Sequence, residues 1–331
     1  MRYVGVAGAR VSVIGLGTWQ FGSKDWGYGA DYADREAGAI TRRAIELGVN
    51  LVDTAEIYGR GASERIVGAA INTHRGDVFL ATKVLPLFPT AHFVERHGRA
   101  SAARLGVDRI DLYQVHWPNP IVPLSQQMTG MRALQQQGVI THVGVSNFTL
   151  ARWQAAERAL RSPVLSNQVQ YSLAARKPDR DLVPYAQTSD RLIIAYSPLA
   201  KGLLSGRYDA EHLPSNSART LDPLFLRENV ARAHDLIETL RAIASGKGVT
   251  PAQIALAWVI SHPNVVAIPG ASSLAQLEAN VAAADIELHD DEIDALTAAS
   301  DRFQPDVAPP AYAKVGLRRM RPKQAQEMSP R

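Results

Sequence analysis

Eight short runs of apolar, β-favouring residues punctuate the chain: VSVIGLG (11–17), NLVDTA (50–55), VFLATKV (78–84), RIDLYQVH (109–116), ITHVGVSN (140–147), VLSNQVQ (164–170), LIIAYSP (192–198) and VVAIPG (265–270). Most are apolar throughout rather than alternating, the pattern of strands covered on both faces. Segments with helical periodicity separate them. In 35–48, Ala39, Ala44, Ile45 and Leu47 are predicted to face inward, with Gly48 as the stop. Further helices are predicted over 63–72 and 124–138, and Thr250-Pro251-Ala252-Gln253 forms a capping box with proline at the first helical position. Strand–helix alternation predicts a parallel sheet, and eight repeats predict its closure into an α/β fold, a (β/α)8 TIM barrel with extra helices near the C-terminus. The opening MRYVGVAGARVSVIG predicts an N-terminal β-hairpin turning at Ala7-Gly8 that plugs one barrel end. One barrel over 1–313 followed by a basic tail over 314–331 accounts for the 331 residues.

The polar residues on these apolar strands carry the chemistry. Asp53, Lys83, His116, Asn147, Gln168, Gln170, Tyr196 and Ser197 stand at strand C-terminal ends, the barrel face on which active sites are built. Lys83 is the sharpest, because a buried ammonium requires a partner. Asp53 is the natural one. Taken alone, such a pair serves equally well as a structural ion pair. Tyr58 lies five residues beyond Asp53 on the same strand's loop. A phenol donates poorly at neutral pH, and a nearby ammonium is expected to acidify it. His116 can orient a carbonyl oxygen, completing a proton-donating site.

Charge and composition narrow the picture further. The net charge of +4 resides in the tail: residues 314–331 sum to +5, leaving −1 for the rest. No broad cationic face remains for a nucleic acid. There is no cysteine, which excludes disulfides, thiol catalysis and Cys-ligated zinc, and fits a cytoplasmic location. No signal-peptide core is found, and no apolar run approaches the roughly 18 residues of a membrane span. The segment 200–225 is too long for a passive connection and is expected to close over a bound cofactor.

The set NLVDTAEIYGRGASE, FLATKV, DLYQVHWP and GVSNF resembles the aldo-keto reductases, in particular the bacterial group related to potassium-channel beta subunits, over about residues 2–302. The resemblance implies NADPH-dependent reduction of aldehydes and ketones, with Asp53, Tyr58, Lys83 and His116 as catalytic tetrad and Tyr58 as proton donor. It implies that Ser146, Asn147 and Gln168 hold the nicotinamide carboxamide, that Tyr196 stacks on the ring, and that Thr18 and Trp19 lie close by. Ser197, Pro198, Leu199 and Ala200, with Arg207 and Arg219, would follow the pyrophosphate. Gly270, Ser272, Gln276 and Asn280 would receive the adenosine end. Independently, IPGASSLAQLEANV reads as a strand, a small-residue turn and a helix start near Ser272, an anion site or simply a helix cap. Ser272 departs from the Arg or Lys that many relatives place there; the reading favours NADP(H), with NAD(H) less favoured. Trp19, Trp26, Tyr28 and Trp117 are expected to shape an apolar pocket for a small-molecule carbonyl substrate. Neither that substrate nor an oligomeric state is written in the sequence.

Rival chemistries fit less well. A barrel glycosidase needs two opposed carboxylates, yet Asp53 and Glu56 are the only acids near the strand ends. His92, Glu95 and His97 lack a recognised metal-ligand spacing and are expected to decorate a helix, so no metal is assigned. No G-x-G-x-x-G is present for a Rossmann dehydrogenase. The remaining alternative is an NADP-binding redox sensor with slow turnover.

Overall fold

The computed structural model describes residues 1–29, 33–85, 90–119, 121, 123–215, 217–312 and 315. Two antiparallel strands, β1 (Tyr3–Val6) and β2 (Ala9–Ser12), open the chain. Ala7 and Gly8 turn between them at φ 45° and 79°, the primed geometry that matches hairpin twist.

Eight parallel strands follow in spatial order identical to chain order: β3 (Leu16–Gly17), β4 (Leu51–Asp53), β5 (Phe79–Val84), β6 (Ile110–Val115), β7 (Ile140–Ser146), β8 (Ser166–Gln170), β9 (Leu192–Tyr196) and β10 (Val265–Ala267). Parallel bridges Ile14↔Ala267 and Gly17↔Gly270 join the last strand to the first and close the barrel. All eight predicted runs are strands. VSVIGLG is divided, however: its first two residues finish the hairpin and its last two form β3.

The apolar runs conceal an alternation, because helices cover the outer face. Leu51, Phe79, Ala81, Leu112, Leu192, Ile194 and Val266 form one interior cluster with Val6 and Val11 of the hairpin. The hairpin therefore caps the lower end of the barrel. Two residues further along the same strands, and so on the same face, stand Asp53, Lys83, Gln114 and Tyr196. The barrel interior is apolar below and polar above.

The helices bind the outside. The first spans Asp34–Glu46 and buries Ala37, Ile40, Thr41 and Ala44. Of the four predicted inward residues only Ala44 is fully buried; Ala39, Ile45 and Leu47 lie half-buried on its flanks. Gly48 stops the chain at φ 84°. The helices Ala62–Ile71 and Leu124–Gln136 match their predicted spans closely. Thr250 caps Pro251–Val259, its hydroxyl accepting from Gln253 N at 3.3 Å while Gln253 Oε1 accepts from Thr250 N at 2.9 Å. Extra helices do lie toward the C-terminus, at Arg227–Arg232, His234–Lys247 and Asp290–Arg302. The expected tail 314–331 lies outside the described residues except Val315, which packs on Leu226 and Ala311. Among the described residues no helix is long and apolar enough to cross a membrane.

The seam is tight. A Cβ on Gly17 would fall 2.6 Å from the Ile268 carbonyl oxygen, whereas one on Gly5 would meet nothing within 4 Å. Gly17→Ala should cost about 1–3 kcal/mol in urea unfolding through overpacking, and Gly5→Ala should leave stability within about 0.5 kcal/mol. Equal effects would show that the seam tolerates bulk.

Candidate active site

At the polar end of the barrel, Lys83 is fully buried and donates to Asp53 Oδ2 at 2.5 Å, to the Thr54 carbonyl at 2.9 Å and to Tyr58 Oη at 3.2 Å. The other carboxylate oxygen, Asp53 Oδ1, accepts from Gln168 Nε2 at 2.8 Å and Gln114 Nε2 at 3.4 Å. The His116 ring meets that of Tyr58 edge-on at 5.7 Å between centroids. The structure thus brings Asp53, Tyr58, Lys83 and His116 together, from three strand ends and the loop that follows β4.

Burial and charge oppose each other in this group. Burial works against the Lys83 ammonium, but Asp53 and Tyr58 outweigh it and hold the amine above its usual value. Tyr58 departs from expectation. Lys83 does pull the phenol down, yet removal from water, reinforced by the Asp53 charge, pushes it up overall. His116 is driven down to about 3 by burial and by the Lys83 charge. It is therefore neutral at physiological pH. Its Nδ1 is buried and has no hydrogen-bond partner among the described residues.

Several positioning residues were not foreseen. Thr18 Oγ1 donates to the Asp53 carbonyl at 2.9 Å and shares a 2.7 Å hydrogen bond with Ser63 Oγ, which also lies 2.8 Å from Thr54 Oγ1. These three hydroxyls clamp the ends of β3 and β4 to the helix Ala62–Ile71. Thr18, expected beside the cofactor, is fully buried with its hydroxyl hydrogen-bonded here. Glu56 lies nearby: its Oε1 accepts from Leu85 N at 2.7 Å, just beyond Lys83. Its Oε2 pairs with His97 Nδ1 at 2.6 Å. His97 is therefore not mere helix decoration. The GRGASE stretch reads as an ordinary turn and helix start, and its one hydroxyl, Ser63, carries no local sign of this clamp.

The second group of expected residues forms its own network. Asn147, in the left-handed region at φ 62°, donates to the His116 carbonyl at 3.2 Å and to Ser146 Oγ at 3.0 Å. Ser146 Oγ donates to the Gln168 carbonyl at 2.8 Å, and Tyr196 Oη to Asn147 Oδ1 at 3.0 Å. Burial pushes the Tyr196 phenol up to about 12, so it remains a donor.

Beyond β9, Ser197, Ala200 and Lys201 take φ of 49°, 48° and 56°, a run of left-handed residues that a plain turn does not require. Pro198 is buried and Leu199 half-buried between them. The segment 200–225 is structured rather than a bare loop, with turns of helix at Ala200–Ser205, Ser217–Thr220 and Pro223–Phe225. Arg219 donates to the Lys201 carbonyl at 2.6 Å and lies over the rings of Trp26 and Tyr208. Lys201 pairs with Asp222 at 2.6 Å. Arg207 is exposed and donates to Ser205 Oγ at 3.2 Å.

At the far side, the helix Leu274–Ala282 is capped by Ser273, one residue later than expected. Ser272 N and Oγ both reach Gln276 Oε1, at 3.0 and 3.1 Å, and Asn280 Nδ2 donates to the Gly270 carbonyl at 3.2 Å. A Cβ on Gly270 would strike Gln20 Oε1 at 2.6 Å. Trp19 and Trp117 are about half exposed at the mouth, Trp19 edge-on to Trp26 and Trp117 stacked parallel to His116. Tyr28 is half-buried against the core.

The pattern of the Aldo/keto reductase family matches residues 13–301. The chain belongs to the aldo/keto reductases. It is 55% identical over 306 residues to the uncharacterized oxidoreductase Rv2298 of Mycobacterium tuberculosis (strain ATCC 25618 / H37Rv), spanning 92% of this chain and 94% of that protein. It is 34% identical over 294 residues to aldo-keto reductase YhdN of Bacillus subtilis (strain 168), spanning 84% and 87%. A crystal structure of an aldo-keto reductase from Klebsiella pneumoniae in complex with NADPH superposes with a TM-score of 0.74 at 32% identity, covering 92% of this chain and 96% of that one. As an aldo/keto reductase with oxidoreductase relatives, the protein is an oxidoreductase.

The neutral His116 links stability to pH. Folded, it stays unprotonated down to about pH 3; unfolded, it takes a proton near 6.5. Its contribution is full above about pH 6.5 and is lost as pH falls through the interval below. In urea unfolding at pH 7.5 and 5.0, the wild type should lose about 2 kcal/mol more than His116→Gln. Parallel losses would mean that the imidazole is not held neutral.

Proposed function

We propose that the protein reduces aldehydes and ketones with NADPH, and that Tyr58 delivers the proton. The observation that carries this reading is the single ammonium of Lys83, buried and in hydrogen-bond reach of both Asp53 Oδ2 and Tyr58 Oη. A bound nicotinamide dinucleotide would supply the hydride. The residues present suit it: a strained backbone after β9 at Ser197, Ala200 and Lys201, an amide and hydroxyl cluster at Ser146, Asn147, Gln168 and Tyr196, and a glycine at 270 followed by a helix N-terminus. Trp19, Pro198, Leu199, Arg207, Arg219, Ser272, Gln276 and Asn280 would complete its surroundings, with the Ser272 and Gln276 side chains offering hydrogen bonds to a 2′-phosphate.

The chain's own groups divide the acid chemistry. Tyr58 holds its proton firmly while buried and at rest. As its proton passes to a carbonyl oxygen, negative charge grows on Oη, 3.2 Å from Lys83 Nζ. The ammonium stabilises that charge and Asp53 keeps the ammonium charged. His116, held neutral by burial and by the Lys83 charge, can donate to the same oxygen without a net charge that would compete with Lys83. Trp19, Trp26 and Trp117 would give a small-molecule carbonyl an apolar seat. The barrel over 1–313 is proposed to act as one unit.

Tyr58→Phe should retain NADPH binding and lose about 10²–10⁴-fold in kcat with 4-nitrobenzaldehyde. Unchanged turnover would remove Tyr58 from this role, and tight NADPH binding by a wild type unable to turn over a panel of aldehydes would favour a sensor. Fluorescence titration should give a lower Kd for NADPH than for NADH; the reverse order would overturn the cofactor assignment.

A further inference from the structure

A cleft of about 530 Å³ opens between the helix Ala62–Ile71, the helix Ala91–Leu105 and the turn after Tyr58. None of Asp53, Tyr58, Lys83 or His116 lines it. Its apolar surface comes from Ile57, Leu85, Phe93 and Ala100, and its charged side chains are Arg60, Arg65, Arg96 and Arg104 with Glu56 and His97. Four guanidiniums face one carboxylate, a surplus of three positive charges before His97 is counted. That volume is in the usual range for a small-molecule site.

The charges are unequally engaged. Arg104 bonds the buried Glu64 at 2.5 Å and lies 3.7 Å from Glu56, so it is already compensated. Glu56 is itself occupied by His97 and by Leu85 N, which turns both carboxylate oxygens away from a visitor. Arg60, Arg65 and Arg96 are exposed and form no ion pair among the described residues. Arginine stems can lie along apolar surface while their heads stay charged and planar, suited to grip a carboxylate in two places. An apolar pocket beside three uncompensated guanidiniums complements one class of molecule, an anion carrying an apolar body.

We propose that this cleft is a second binding site, separate from the reduction site, for a carboxylate on an alkyl or aryl body. The carboxylate is held by Arg60 and Arg96, and the body lies against Ile57, Leu85 and Phe93.

The test is calorimetric titration of NADPH-saturated full-length protein with octanoate, with 1-octanol as the neutral counterpart and inorganic phosphate as a charge without a body. Octanoate should bind once per chain and more tightly than either control. The double variant Arg60→Gln/Arg96→Gln, checked for folding by its thermal melt and expected to fold because both side chains are exposed and neither is ion-paired among the described residues, should weaken octanoate by about fivefold or more and leave 1-octanol unchanged. The variant should keep the aldehyde KM of the wild type. Three results would overturn the proposal: no binding of octanoate, phosphate binding as tightly as octanoate, or octanoate affinity indifferent to both substitutions while it competes with the aldehyde. The last would place the anion in the substrate pocket. Because the readout is binding rather than turnover, failure here is distinct from failure of the Tyr58 mechanism.

Discussion

One unavoidable cost organises this molecule: the charge of Lys83, held inside a barrel with no access to water. An isolated ammonium in such a place costs several kcal/mol, and removing its partner would leave that cost uncompensated. Asp53 answers it directly, but a second buried charge then needs satisfaction of its own. Gln168 and Gln114 provide it at the other carboxylate oxygen, and the Thr54 carbonyl takes a further ammonium proton. Asp53 and Thr54 come from the end of β4, and Lys83, Gln114 and Gln168 each come from a different strand. The chemistry is therefore hostage to barrel register, and a slip on any of these strands would unpair a buried charge.

The alternation inside the barrel explains how such a cluster coexists with a stable core. On each strand the residues two positions below the polar groups are Leu51, Ala81, Leu112 and Ile194, sealed underneath by Val6 and Val11 of the hairpin. The lower interior supplies burial, and the upper interior can then be given over to polar groups. Gly144 belongs to the same economy of space, since a Cβ there would meet Ser166 Oγ at 2.5 Å and Gln114 Cγ at 2.8 Å. Gln114 reaches toward Asp53 because its neighbour on β7 has no side chain.

What could be read from the sequence follows from the range of the signal. Strands buried on both faces leave unmistakable apolar runs, and lysine inside ATKVLP is conspicuous because burial and charge conflict. Glycine at 48 and the Thr250 box are local chemistry and were legible as such. The inward face of the helix Asp34–Glu46 was misplaced toward Ala39, Ile45 and Leu47, because the true stripe includes the polar Thr41, whose hydroxyl is satisfied by the Ala37 carbonyl at 3.0 Å. Ser63 and Glu64 were invisible for a related reason. Their partners, Thr18, Thr82 and Arg104, lie far away in sequence and only the folded chain brings them together. The cofactor end was read through resemblance alone, since amides and small residues after strands are common to many turns.

The acidity of Tyr58 shows where sequence reasoning misweighs physics. Proximity of a lysine is a statement about one interaction, and it has the anticipated direction. Burial is a property of the whole surrounding, and here it outweighs that interaction. The consequence is mechanistically useful. A phenol acidified as far as neutrality would stand partly ionised, and that fraction could not donate, whereas one kept protonated by its dry surroundings holds the proton ready for transfer. Lys83 then acts on the charge that appears during transfer rather than on the ground state, which is the differential stabilisation that lowers a barrier. The neutral state of His116 serves the same end: a second cation beside Oη would stabilise the phenolate before any substrate had arrived.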